Sequence, residues 1–387
     1  MTGIRFRRRA LLGTFAAIGA PIGAPTAFGA EEPTLSIGHI QAETGPSAAP
    51  GVRARDGARM AADEISAAGG MKDASGKAWR VAIEVSDMGN DARQAVTLLR
   101  QYASRPEIIA VLGPTNSVGF LPMTPAAGQL QIPLIGNGSG APIKEWNAWT
   151  YRVNPVSDTA TPILIRKVLA STSAKRVAII YDQTQEVQAA DANICRMQAA
   201  VQGYEIVADQ AFKTGDQDFS PQIARIRAVR PDVVFLAAAP GDGAKVAPQL
   251  RDVGINVPFM TGFGAFQDPT YWDASGGAIN GCYTWIAQDF SHGDDRLRAW
   301  LDHYNKTFPQ PANTNSAFGY DSVYALAACV ASSNPPTRTS IQAALSRLSI
   351  ETPIGTAIRF QNPPQGNNLD PTVTVLRVTS RSGYEVI

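Results

Sequence analysis

Cysteine is scarce. Cys195, Cys282 and Cys329 are too few among 387 residues for a disulfide scaffold, and none sits in a CxxC pair. Histidine is equally rare: His39, His292 and His303 stand far apart, so no His-rich metal site is expected. Neither sign of charge dominates, with 34 Lys and Arg against 33 Asp and Glu, which gives no electrostatic reason for nucleic acid as a partner. Low-complexity tracts are missing. With 44% hydrophobic and 17% charged residues the chain is neither disordered nor a coiled coil. Its length exceeds what one compact core usually holds, so two lobes are expected.

Catalytic signatures are missing too. No GxSxG elbow surrounds Ser117, flanked at two residues by Thr115 and Gly119, or Ser139, flanked by Asn137 and Ala141. HExxH, SxxK with its supporting motifs and the EF-hand loop are absent. The stretch from Gly70 to Lys77 misses the phosphate-loop spacing by one residue, and Ala78 stands where Ser or Thr would reach magnesium. Gly136 to Ala141 is a loose GxGxxA in the fourth strand, followed by Pro142 and Trp146 rather than a helical stripe. It reads better as a glycine loop that lets backbone approach a small ligand. No cofactor is expected. Asp87, Asp158, Asp182, Glu186 and Asp242 are acids near strand ends, where most isolated carboxylates are solvated caps.

What is present begins at the N-terminus. Arg7-Arg8-Arg9-Ala10-Leu11-Leu12 is a twin-arginine pattern, followed by a weakly apolar Gly/Ala-rich stretch and by Ala27-Phe28-Gly29, with small residues at −3 and −1 of a cleavage site. That order is a secretory signal, and paired arginines favour the twin-arginine route. The stretch is too short for a spanning helix, and Gly and Pro interrupt it. Residues 1–29 are therefore expected to be a signal for the periplasm. Without Arg5, Arg7, Arg8 and Arg9, 30 bases face 33 acids, a net charge near −3.

Beyond the signal, β-rich runs (Leu35–Ile40, Trp79–Ser86, Ile108–Gly113, Pro133–Gly136, Arg176–Tyr181, Asp232–Ala237, Val257–Thr261) alternate with helical patterns such as Asp56–Ala68, Asp91–Ser104 and Ala189–Gln202. This grammar predicts βαβ units and parallel sheets covered on both faces. One stretch echoes another: Arg105-Pro106-Glu107-Ile108-Ile109-Ala110-Val111-Leu112 resembles Arg230-Pro231-Asp232-Val233-Val234-Phe235-Leu236. Chance is a rival, since all βα units share such a pattern, but with the length it suggests two similar α/β lobes. Open α/β sheets bind ligands at the C-terminal ends of their strands. Phe263, Phe266, Tyr271 and Trp272 crowd a Gly-rich segment after a strand, as pocket wall or as packing.

Gly45-Pro46-Ser47-Ala48-Ala49-Pro50-Gly51, Asp56-Gly57-Ala58 and Ile65-Ser66-Ala67-Ala68-Gly69-Gly70 resemble the opening of periplasmic solute-binding proteins related to the leucine/isoleucine/valine-binding protein. Ala110 to Pro114, Gln131 to Ile135, Tyr151-Arg152, Asp218-Phe219-Ser220, Arg251 to Ile255 and Gly319-Tyr320-Asp321 follow in the same order, so the resemblance runs from about residue 34 to the end. It implies a type I periplasmic-binding fold: two doubly wound α/β lobes with mostly parallel sheets, joined by a three-crossing hinge. The lobes would be 30–154 plus 285–353 and 155–284 plus 354–387. It also implies a small organic solute, permease subunits of an ATP-binding-cassette importer as membrane partners, and a monomer.

Carried over position by position, the family's ligand contacts fall on Asn116, Ser117, Ser139, Gly140, Asp158 and Glu186, and the acid that holds an α-ammonium falls on Phe263, with Phe266 nearby as apolar wall. A buried ammonium without an ionic partner costs several kcal/mol, and a phenyl ring returns only about 0.5–2 kcal/mol. The expectation is a small carboxylate lacking the amine, aromatic acids included, unless Glu186 or Asp158 rescues amine binding. An enzyme on the same scaffold and a ligand sensor feeding a membrane signalling partner are the rival readings.

Overall fold

The computed structural model describes residues 33–45, 48–262, 269–360 and 365–387. The expected signal at 1–29, and Phe263 and Phe266, lie outside the described residues. The chain first lays down β1 (Thr34–Gln41), α1 (Ala48–Ala67), β2 (Met71–Lys72), β3 (Ala78–Asp87), α2 (Ala92–Ala103), β4 (Ile108–Leu112), α3 (Ser117–Leu130), β5 (Leu134–Gly136) and β6 (Thr150–Arg152). These strands form one sheet in the order β2-β3-β1-β4-β5-β6, parallel except for β2 against β3.

Then follow α4 (Ser157–Thr172), β7 (Arg176–Asp182), α5 (Glu186–Gln202), β8 (Glu205–Phe212), α6 (Ser220–Val229), β9 (Val233–Ala237), α7 (Pro240–Asp252), β10 (Phe259–Met260), α8 (Pro269–Ala274) and β11 (Tyr283–Ile286). The chain goes back to the first sheet with α9 (Asp295–Thr307), α10 (Thr314–Ala331) and α11 (Arg338–Leu345), of which α10 packs along α1 and α11 against β4. After the hairpin β12 (Ser349–Glu351) and β13 (Ala357–Arg359), β14 (Thr374–Val378) and β15 (Tyr384–Val386) join the second sheet. Its order is β15-β14-β11-β10-β9-β7-β8, with β14 and β15 antiparallel and the rest parallel. The chain thus passes between the sheets after Arg152, after Ile286 and after Arg359. The second passage was expected at 284, but Trp285 and Ile286 still pair with Val375 and Thr374.

The two sheets repeat one plan, β3-β1-β4-β5-β6 beside β8-β7-β9-β10-β11. The echoing stretches in the sequence are β4 and β9, the third parallel strand of each plan. Both are five apolar residues buried throughout, as a central parallel strand covered on both faces requires. On one side of the first sheet Ile40, Val111 and Leu134 pack with Phe120 of α3. On the other, Ile37 and Leu112 meet Ala58 of α1 and Val323 of α10, and that cluster continues through Leu164 of α4 to Val177 and Phe235 of the second sheet. The remaining face of the second sheet packs on α6 and α7 through Ile180, Leu236, Ile226 and Leu250.

Two glycines of the resemblance set the α1–α10 approach. A Cβ on Gly57 would collide with the carbonyl of Ser316, and one on Gly319 with that of Ala54, so neither helix could come so close with alanine there. Helix α3 was missed by sequence reading. α3 carries Pro122 and Pro125, each of which removes a backbone donor. Pro125 is exposed and Pro122 half-exposed, while Phe120, Met123, Ala126 and Ala127 on the other side are buried, so the donors are lost away from the core.

Candidate functional site

In a sheet of this order the topological switch lies between the first and third strands, where connections leave in opposite directions and open a crevice. For the first sheet this is the C-terminal end of β1 and β4. Gln41, the last residue of β1, is fully buried there and fastens two loops: its Nε2 donates to Asn137 Oδ1 at 2.9 Å, and its Oε1 accepts from the Thr115 N–H at 2.9 Å. Gly138 must be glycine for the loops to meet, since a Cβ would lie 2.9 Å from Thr115 Cα.

Asn116 caps α3, accepting from the Gly119 N–H at 3.0 Å, and its Nδ2 donates to Asn90 Oδ1 at 3.0 Å. Ser117, the first residue of α3, brings its Oγ to 3.0 Å from Ser139 Oγ and accepts from the Ala141 N–H at 3.3 Å. Asn116, Ser117, Ser139 and Gly140 are therefore brought together by the structure. Hydroxyls, a backbone N–H and the positive end of a 14-residue helix converge at one strand edge, a donor set suited to an anionic oxygen.

Sequence reading named Arg152 only as part of a motif and missed Gln41, Asn137, Asn154 and Ser157. Arg152 is fully buried, its guanidinium 5.5 Å from the Trp146 ring and 5.9 Å from the Phe120 ring. Burial pushes it down to about 9, and the charge of Asp158 pulls it partly back. No carboxylate forms an ion pair with it among the described residues, and its Nη2 finds no partner among them. The only signal for Arg152, Asn154 and Ser157 in the sequence is their interspersion with Val153, Pro155 and Val156 at the end of a short strand, and Gln41 and Asn137 have none.

Asp158 sits in the first turn of α4 with its side chain exposed, next to Ser157, whose N–H donates to Gly140 O at 3.2 Å. Glu186 opens α5 beyond the end of β7 in the second sheet, also exposed. The three cysteines are free and buried, each with its thiol pushed up by desolvation. Among the described residues no three His, Cys, Asp or Glu side chains are placed to hold a metal, and no helix is long and apolar enough to cross a membrane. A cavity of about 1080 Å³ lined by Ile223, Arg227, Arg230, Gln249 and Asp252 lies at the opposite edge of the second sheet, among the C-terminal ends of α6 and α7.

Two α/β sheets of one plan, crossed three times by the chain and carrying polar loops at the C-terminal strand ends, define a bilobal binding protein of type I architecture. The chain belongs to the periplasmic binding protein family, whose profile matches residues 34–383. It is 27% identical over 287 residues to the Leu/Ile/Val-binding protein BraC3 of Rhizobium johnstonii, covering 73% of this chain and 76% of that one. It is 23% identical over 295 residues to Leu/Ile/Val-binding protein homolog 1 of Brucella suis, covering 76% and 77%. Among solved structures, a leucine-binding protein of Thermotoga maritima superposes with a TM-score of 0.78 at 18% identity, over 92% of this chain and 98% of the other. The branched-chain amino acid transporter substrate-binding protein LivJ of Streptococcus pneumoniae, in complex with isoleucine, gives 0.75 at 21%, over 92% and 99%. These two likenesses are of fold.

Proposed function

We propose that the chain is the extracytoplasmic receptor of an ATP-binding-cassette importer of the branched-chain amino acid type. It is exported by its twin-arginine signal, acts in the periplasm as a monomer and delivers its solute to membrane permease subunits. Its two lobes, one built on each sheet, close on a small carboxylate, aromatic acids included, rather than on leucine, and transform nothing. Hinge closure of this kind is held by contacts that the solute makes with both lobes at once.

The observation that carries the reading is the convergence of Ser117 Oγ, Ser139 Oγ and the Ala141 N–H at the switch point of the first sheet. These groups satisfy one another within about 3 Å and can each turn to a carboxylate oxygen instead. The phenylalanine at position 263, where amino-acid binders of the family carry an acid, supports a solute without an ammonium.

A second reading, an amino acid, is favoured by the exposed Asp158 one residue beyond the loop anchor Ser157, and by the names of the relatives. Calorimetric titration separates the two. The expected result is tight binding of benzoate or 4-methyl-2-oxopentanoate and weak binding of leucine; leucine binding tightly while both acids fail overturns the carboxylate reading. Mass spectrometry of the solute that co-purifies, with a thermal-shift screen, identifies it: a ligand at 100 times its Kd adds about 2.7 kcal/mol to the folded state.

A further inference from the structure

The loop Ser139–Ala141 is fastened from behind. Arg152 Nη1 donates to Ser139 O at 3.2 Å and to Ala141 O at 2.6 Å, Asn154 Nδ2 donates to Ser139 O at 3.0 Å, and the Ser157 N–H donates to Gly140 O at 3.2 Å. Three successive carbonyls thus end on residues 152–157, the first passage between the sheets. The loop's acceptors are turned to the passage, while the Ser139 hydroxyl and the Ala141 N–H stay with Ser117.

Arg152 also reaches the third passage. Its Nε donates to Asn367 Oδ1 at 2.8 Å, its backbone N–H to Gly366 O at 2.8 Å, and its carbonyl accepts from the Asn368 N–H at 3.0 Å. Among the described residues every hydrogen-bond partner of the guanidinium is a neutral oxygen. A buried cation held by carbonyl dipoles keeps much of its positive field, because among the described residues no carboxylate forms an ion pair with it. That field acts one peptide layer behind the donors of the cradle. An exposed Asp158 is the acid whose charge reaches it.

We propose that Arg152 is the positioning residue that gives the solute site its preference for a negative charge. It holds the acceptors of 139–141 away from the solute and places a positive charge without an ion-pair partner behind the donors, without touching the solute itself. The site is thereby tied to two of the three passages about which the lobes would close. The proposal rests on the reading of the cradle as a carboxylate site.

The test compares each acid with its own amide: benzoate with benzamide, 4-methyl-2-oxopentanoate with its amide, and leucine with leucinamide, by calorimetric titration of the full mature chain. In the wild type the acid is expected to bind better than the amide in the pair that binds. Arg152→Gln should lower the acid-to-amide affinity ratio by about tenfold or more, with the amide's affinity changed by less than about threefold. Arg152→Lys should restore most of the ratio. Because the loss of a buried arginine can prevent folding, Asn367→Asp supplies an independent arm: an isosteric carboxylate 2.8 Å from Nε cancels the charge in place. It should lower the ratio similarly.

An unchanged ratio in folded Asn367→Asp, or acid and amide falling equally in Arg152→Gln, overturns the proposal and leaves Arg152 a structural support. A wild type that binds acid and amide alike overturns the carboxylate reading itself, and the proposal with it. Leucine and its amide serve when the amino acid proves to be the solute, so failure of the amine-free reading remains distinguishable from failure of the role of Arg152.

Discussion

The two sheets share a strand order and differ in what stands at their C-terminal edges. The first edge is built from neutral amides and hydroxyls around a buried cation: Gln41, Asn137, Ser117, Ser139 and Arg152. The second carries buried acids whose oxygens are turned inward. Asp182 accepts from the Thr184 N–H at 2.9 Å, from Thr184 Oγ1 at 2.6 Å and from the Thr214 hydroxyl. Asp191 accepts from Thr161 Oγ1 at 2.6 Å, and Asp242 from Lys245 Nζ at 3.1 Å. Topology puts loops at the same place in both lobes, and the side chains decide the sign of what each can receive. On the carboxylate reading proposed above, an anionic group would be received at the first edge rather than at the second.

The largest effect expected comes from titration inside the first lobe. Asp321 of α10 is wholly buried, and desolvation raises it to about 7, with Thr352 and Thr356 hydroxyls pulling it partly back. As pH rises from about 4 the unfolded chain releases this proton first, so folding loses stability until the folded group ionises near 7. His39 of β1 acts oppositely: burial, with the charges of Arg55 and Arg59, lowers it to about 3, so stability is lost as pH falls from about 6.5 toward 3. At pH 8 Asp321→Asn should therefore gain up to about 4 kcal/mol over wild type, and below pH 4 next to nothing. Denaturant unfolding at pH 4, 6 and 8 checks the sign; a variant less stable at pH 8 than wild type breaks the assignment.

Next in size is the staple between loops. Gln41→Leu leaves Asn137 Oδ1 and the Thr115 N–H buried without their partner and should cost about 3 kcal/mol. Asp182→Asn in the second lobe keeps an acceptor and should cost about 1 kcal/mol. Urea midpoints that reverse this order would show that the second edge is the more tightly held.

For binding, Ser139→Ala should weaken the carboxylate probe by about tenfold, the size of one hydrogen bond to a charged group, while Thr161→Val leaves it within about twofold. Equal losses in calorimetry would erase the distinction between the edges. The smallest change is expected from Glu186→Gln: stability within about 0.5 kcal/mol, as for an exposed residue, and an unchanged affinity for benzoate. A large gain in acid binding would instead bring Glu186 to the solute.

Much of the fold was legible because its central strands are written as unbroken apolar runs. Ile108–Leu112 and Val233–Ala237 admit hardly any other reading between helical patterns. β6 and β11 escaped notice because three and four residues show no period, and Thr150, Arg152 and Thr284 interrupt any apolar run of the kind that marks β5. β8 escaped because an edge strand with Glu205, Asp209 and Gln210 among its eight residues makes no apolar run. At the site, Asn116, Ser117, Ser139 and Gly140 were accessible through the resemblance, which aligns loops. Gln41 with Asn137, 96 positions apart, and Arg152 with Asn367, 215 apart, were not, because no local pattern says which polar residues meet.

From the sequence alone follow the alternation of strand and helix, the duplication of the plan and the family, since each rests on local periodicity or on collinear motifs. Only the tertiary structure decided that a guanidinium would be shut inside without an acid, and which carbonyls would receive it. Burial and partnership are properties of packing between distant segments, and the energy of a charge depends on exactly those neighbours.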